Sequence, residues 1–247
     1  MPKKPRQFIK GEFYHLVLRR LKDEPLFLDT DDYYRGVFSL YEFNDERLVR
    51  IRERRAARAR FKKTCWGQTP VNVAMVDERN LLVEISAFCL MPNHVHLLIR
   101  ELKKGGISKF MQKLGGGLSS YFKNKYEIEL RGHFFQDRFT AVHIKTDKQL
   151  KVVFVYIHTN PVSLIEPKWK EKGITNARKI IEFVENYKWS SYSDYIGKKN
   201  FPSLIKRELM LKIMGGKNGC REWVNGWIKQ KQEMRRSMEK FKELSLE

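Results

Sequence analysis

The run Leu90-Met91-Pro92-Asn93-His94-Val95-His96-Leu97-Leu98-Ile99 limits the fold more than any other stretch of this chain. Alternation over His94 to Ile99 marks a strand, and a strand sends successive side chains to opposite faces. Both imidazoles therefore emerge on one side, and Val95, Leu97 and Ile99 on the other. Leu81 to Cys89 is a second β-type run, and Pro92 between the two lacks a ladder donor, which forces a break or an edge position there. One sheet face is thus apolar and the other carries histidines.

Further signals place helices and strands around this pair. Phe13 to Leu18 reads as a first strand, and Thr30-Asp31-Asp32 offers N-cap chemistry for a helix carrying Tyr33, Val37, Phe38 and Tyr41. Ile107 to Tyr126 has helical spacing at Phe110, Leu114, Leu118 and Phe122, yet holds Gly115-Gly116-Gly117 at a cost of about 1 kcal/mol per glycine. Either something approaches that backbone closely, or the helix kinks or breaks there. Phe134 to Ile144 reads as a further extended segment. Thr146-Asp147-Lys148-Gln149 then matches a capping box that starts a helix near Asp147, and Pro161 ends it. Alternating signals over residues 10–165 fit a small α+β sandwich, with helices on one face of a largely antiparallel sheet.

Beyond it, Trp189-Ser190-Ser191-Tyr192 opens an aromatic segment. Lys217 to Glu247 reads as a basic helix with a packing stripe of Trp223, Trp227, Met234, Met238 and Phe241. The expected division is a catalytic domain over 1–200, with an arginine-rich insertion at about 45–69, and a basic helical extension over 201–247. That arginine-rich segment serves as a solvated face or contacts nucleic acid.

The formal net charge of +20, from 49 Lys and Arg against 29 Asp and Glu, points to a polyanionic partner, nucleic acid ahead of an anionic membrane. Cys65, Cys89 and Cys220 show no CxxC spacing, which argues against a disulfide framework and a cysteine-rich zinc module. No stretch approaches ~18 uninterrupted apolar residues, and Met1-Pro2-Lys3-Lys4-Pro5-Arg6 is not followed by a signal-type core. A cytoplasmic protein without a membrane partner is expected.

Two imidazoles on one face are half of a metal site. Tyr156 and Asn160 stand four apart, so on a helix a phenol and an amide oxygen share a face as well. Asn160 is the natural third ligand; it is also suited to capping the helix before Pro161, and the two roles are compatible. A phenol titrates near pH 10 in water and is a poor nucleophile at neutral pH, so Tyr156 in that role needs a nearby cation; its other reading is a packed aromatic. A histidine-triad hydrolase would want histidine where Leu98 stands.

With these motifs in place, the chain resembles the single-tyrosine His-hydrophobic-His transposases, and within them the REP-associated tyrosine transposase-like branch. The resemblance rests on Met91-Pro92-Asn93-His94-Val95-His96-Leu97-Leu98 and Tyr156-Ile157-His158-Thr159-Asn160-Pro161-Val162. Gly132-His133-Phe134-Phe135-Gln136-Asp137-Arg138-Phe139 and Trp189-Ser190-Ser191-Tyr192 add support, and it spans roughly residues 8–196. It implies a ferredoxin-like fold, a Mg or Mn ion at His94, His96 and Asn160, and attack by Tyr156 on single-stranded or hairpin DNA. The product would be a 5'-phosphotyrosine link, reversible by a 3'-hydroxyl, with no nucleotide cofactor. Either a monomer or a homodimer is compatible. Asp137 and Thr140 depart from the glycine and lysine common in the family, as does the longer arginine-rich segment, and these bear on DNA contacts. Arg138, Lys145 and Lys148 are candidate phosphate contacts, with Phe134, Phe135 and Tyr121 as candidate stacking surfaces. The alternative reading is a non-catalytic or domesticated nucleic-acid-binding protein.

Overall fold

Strands β1 (Phe13–Arg19), β2 (Val83–Met91), β3 (His94–Glu101) and β4 (Thr140–Ile144) form one antiparallel sheet in the order β2-β3-β1-β4. Helix α1 (Thr30–Glu42) and the basic helix α2 (Ile51–Thr64) lie between β1 and β2, and α3 (Gly106–Lys125) lies between β3 and β4. Two split β-α-β units interleaved in this way make a ferredoxin-like α+β sandwich. This is a computed structural model, and it describes residues 6–64, 77, 79–128, 132–136 and 138–244, without the side chains of 58, 61–64 and 237–244.

Register divides the sheet as alternation requires. His15, Val17 and Arg19 share a face with Leu98, His96 and His94, their partners on β3; Leu16 and Leu18 face the other way with Leu97 and Val95. The second face is covered by α1 and α3, with Gly36 of α1 packed against Leu90 and Phe27. The first is covered by α4 (Asp147–Thr159), which packs on β2 and β3. Leu16, Phe88, Leu97, Phe110, Leu114 and Phe154 are wholly buried between these layers.

Several local expectations shift. Helix α1 is capped one residue earlier than Thr30: the Asp29 carboxylate accepts from the Asp32 amide at 2.9 Å, and Thr30 is already helical. Helix α3 runs unbroken through its glycines, and the close approach is real, because a Cβ at Gly117 would overlap the Phe43 ring. Only Thr140–Ile144 of the segment from Phe134 is strand. Phe134 and Phe135 are core residues instead, with the Arg20 guanidinium 3.7 Å above the Phe134 ring, so neither is free to stack a base.

The C-terminal third wraps onto the same body. Helices α5 (Trp169–Lys172), α6 (Ala177–Asn186), α7 (Tyr192–Tyr195) and α8 (Glu208–Met214) precede the long α9 (Gly216–Leu244), which packs on α4, α5, α6 and α8. The buried stripe of α9 is Cys220, Val224 and Ile228, one position away from the expected tryptophans. Trp227 is half-buried against Trp169, and Trp223 is 46% exposed with the Lys151 ammonium 5.2 Å from its ring. The smaller residues let α9 come close to its neighbours. Met238 and Phe241 lie outside the described side chains, as do Cys65 and Asp137.

The Trp189 to Tyr192 motif covers the outer edge of β2. The Leu90 amide donates to the Trp189 carbonyl at 2.8 Å, and the Ser191 amide to the Phe88 carbonyl at 3.0 Å. Cys89 and Cys220 are free and buried. Among the described residues no helix is long and apolar enough to cross a membrane.

Candidate active site

His94 is the first residue of β3, and the turn before it is held from both sides. The Pro92 carbonyl accepts from the Leu26 and Phe27 amides at 2.6 and 3.0 Å, and the Asn93 carbonyl accepts from the Arg20 amide at 2.9 Å. The chain leaving β1 therefore anchors the hairpin that carries the histidines. His94 Nδ1 lies 2.5 Å from the Asn93 side-chain oxygen, and His94 Nε2 lies 2.9 Å from His96 Nε2. On the far side of His96, Nδ1 lies 3.0 Å from Nε2 of His15, whose ring stacks on it at 5.2 Å.

All three imidazoles are buried, at 9% exposure or less. Burial lowers His15 to about 4. It lowers His94 to about 4, assisted by the charges of Arg19 and Lys170. His96 is held well below the ordinary histidine range by burial, then by His94 and His15, with Arg19 and Lys170 adding to the effect. The rings are therefore neutral at neutral pH, the form that ligates metals.

This arrangement fits a divalent cation. With Nδ1–H of His94 donated to Asn93, its Nε2 is left with a lone pair, 2.9 Å from Nε2 of His96, that a cation beside the two rings would use. Two nitrogens at right angles around an ion, each about 2.1 Å from it, stand about 3.0 Å apart, close to the separation seen. Among the described residues no group of three His, Cys, Asp or Glu side chains is placed as a metal cage.

The phenol arrives from α4. Thr146 Oγ1 accepts from the Gln149 amide at 3.2 Å, and Gln149 Oε1 reaches back to the Lys145 amide at 2.7 Å, one residue before the cap. Phe154, Ile157 and His158 face inward, which leaves Tyr156 half-buried over the histidine face. Its ring meets His15 and His96 edge-on, with centroids 5.6 and 5.5 Å away. The fold thus brings Tyr156, His94 and His96 together. Asn160 is one turn further on, where α4 gives way to a 3-10 turn. Its amide nitrogen donates to the Tyr156 carbonyl at 2.6 Å, and among the described residues no hydrogen bond joins it to a histidine.

The candidate DNA contacts are all exposed. Arg138 precedes β4, Lys145 follows it, and Lys148 lies on α4 two turns before Tyr156 on the same helix face. Three further residues were absent from the reading of the sequence: His15, Arg19, which is the register partner of His94, and Lys170. A polar residue inside an apolar strand was the signal for His15, and the same alternation puts Arg19 on its face. Nothing local marks Lys170.

Residues 53–160 match the family model described as "Transposase IS200 like". The match takes in His94, His96, Tyr156 and Asn160. A solved structure titled "Structure of the REP associates tyrosine transposase bound to a REP hairpin" is similar at 16% identity. It covers 81% of this chain and 90% of its own, with a TM-score of 0.45. No curated protein matches the chain.

Proposed function

We propose that this chain cleaves and rejoins single-stranded DNA, hairpin-bearing strands included, through Tyr156, with Mg2+ or Mn2+ held by His94, His96 and Asn160. The observation that carries the reading is one locus: two neutral imidazoles with Nε2 atoms 2.9 Å apart, and a tyrosine ring edge-on to one of them. The Tyr156 hydroxyl attacks the phosphorus of a phosphodiester. Its oxygen–phosphorus bond forms as the bond to the 3'-oxygen breaks, and the phenol proton ends on the departing 3'-hydroxyl. The 5'-phosphotyrosine left behind keeps the bond energy, so attack by a 3'-hydroxyl joins strands and frees the tyrosine. A divalent cation would polarise the phosphate and favour the phenolate.

The chain's own charge does the rest. Arg19 and Lys170 stand close enough to depress the histidines, which puts positive charge where a scissile phosphate must sit. Arg138, Lys145 and Lys148 contact the flanking backbone, and the net charge of +20 favours any nucleic acid. Incubation with a hairpin-bearing single strand and Mn2+ should give a detergent-resistant protein–DNA adduct. Tyr156→Phe should abolish the adduct and leave DNA affinity within about twofold; an adduct that survives the substitution overturns the assignment.

A further inference from the structure

His15 sits on the central strand β1 between Phe13 and Val17 on the same face, at 9% exposure. Such a position suits an apolar residue, since burying an imidazole sacrifices its hydration unless a hydrogen bond replaces it. Among the described residues its one hydrogen-bond partner is His96, at 3.0 Å. The same ring stacks on His96 and meets the edge of Tyr156. Its ring is thus in contact with both a candidate ligand and the candidate nucleophile.

Proton accounting gives this contact a direction. A neutral imidazole has one ring proton, and His94 gives its own, at Nδ1, to the Asn93 oxygen. For His96 to offer Nε2 as a lone pair toward the same locus, its proton has to be at Nδ1, and the group facing that nitrogen is Nε2 of His15. We propose that His15 is a positioning residue: it accepts the Nδ1–H of His96, which leaves the His96 Nε2 lone pair for the cation that His96 and His94 would share, and its T-shaped contact sets the place of the Tyr156 ring. His15 thus acts on His96 as Asn93 acts on His94. The proposal rests on the metal reading given above.

The test uses the full chain without DNA. Mn2+ uptake is followed by electron paramagnetic resonance for wild type, His15→Phe, which keeps an aromatic ring but no acceptor, and His15→Gln, which restores an acceptor oxygen. The 15N shifts of the His96 ring are recorded with Zn2+ as a diamagnetic ion. Expected are an Nδ1–H tautomer at His96 in wild type, a 10- to 100-fold loss of Mn2+ affinity in His15→Phe, and recovery to within a few-fold in His15→Gln. A folded His15→Phe chain that binds Mn2+ as wild type does overturns the role of His15 and leaves the metal reading standing. Wild type that takes up no Mn2+ overturns the metal reading, and this proposal with it. Should His15→Phe fail to fold, the His96 tautomer decides: a proton absent from Nδ1 overturns the proposal.

Discussion

The amide nitrogen of Asn160 donates to the main-chain carbonyl of Tyr156 at 2.6 Å, so the candidate ligand and the candidate nucleophile are joined through the last turn of α4. The bond is made where α4 ends and the 3-10 turn Asn160–Leu164 begins. With the nitrogen engaged, the amide oxygen remains as the acceptor that a cation would use. The two roles separate by substitution. Asn160→Ala loses the cap, at about 1 kcal/mol, and should lose Mn2+ affinity as well. Asn160→Asp also loses the donor, and should unfold at least as early in a thermal scan, yet its carboxylate keeps Mn2+ uptake. Wild-type Mn2+ affinity in Asn160→Ala removes this residue from the ligand set.

Neighbouring glycines of α3 should respond with opposite sign. A Cβ at Gly117 would collide with the Phe43 ring, whereas nothing lies within 4 Å of one at Gly116. Gly117→Ala should destabilise by about 1–3 kcal/mol through overpacking. Gly116→Ala should gain up to about 1 kcal/mol from helix propensity alone. Urea titration of both variants checks this, and equal midpoints would mean that Phe43 moves aside freely.

Features governed by near neighbours were legible before the fold was known. The alternation that puts His94 and His96 on one face is a two-residue period, and the start of α4 rests on Thr146 and Gln149, three positions apart. His15 escaped because its meaning comes from pairing with a strand some eighty residues away; within Phe13 to Leu18 it reads as one polar residue in an apolar run. Arg19 and Lys170 escaped for the same reason, being brought to the site by the β1–β3 register and by a helix well past α4. On α9, tryptophans drew the stripe toward Trp223 and Trp227, while tertiary packing selected the smaller Cys220, Val224 and Ile228.

Acid should weaken the fold through His158. It is wholly buried, its Nε2 is 2.8 Å from Ser191 Oγ, and burial pushes it down to about 3. The unfolded chain takes up that proton near pH 6.5 and the folded chain does not until about 3. The stability present above pH 6.5 is therefore lost as pH falls through this window, at about 1.4 kcal/mol per pH unit. By pH 5 the loss from this residue is about 2 kcal/mol. Urea unfolding at pH 7, 6 and 5 should show a shallower decline in His158→Gln than in wild type, with His15 and His94 sustaining the remainder. Parallel declines in the two proteins would exclude His158 as a source.

Lys148 is eight residues before Tyr156, about 12 Å along the same face of α4, and its side chain is exposed. A strand whose phosphate reaches Tyr156 would run past it, and one neutralised phosphate contributes about 0.7 to the slope of log affinity against log salt for single-stranded DNA. Lys148→Ala should lower that slope by about this amount across unrelated sequences, and leave Mn2+ uptake as in wild type. Lys104 is exposed just beyond the end of β3 that lies opposite His94, so Lys104→Ala should leave the slope nearly unchanged. Fluorescence anisotropy with a labelled single strand between 50 and 200 mM salt, a range in which such slopes are well resolved, makes the comparison. Equal slopes for the two variants would place the strand off this face of α4.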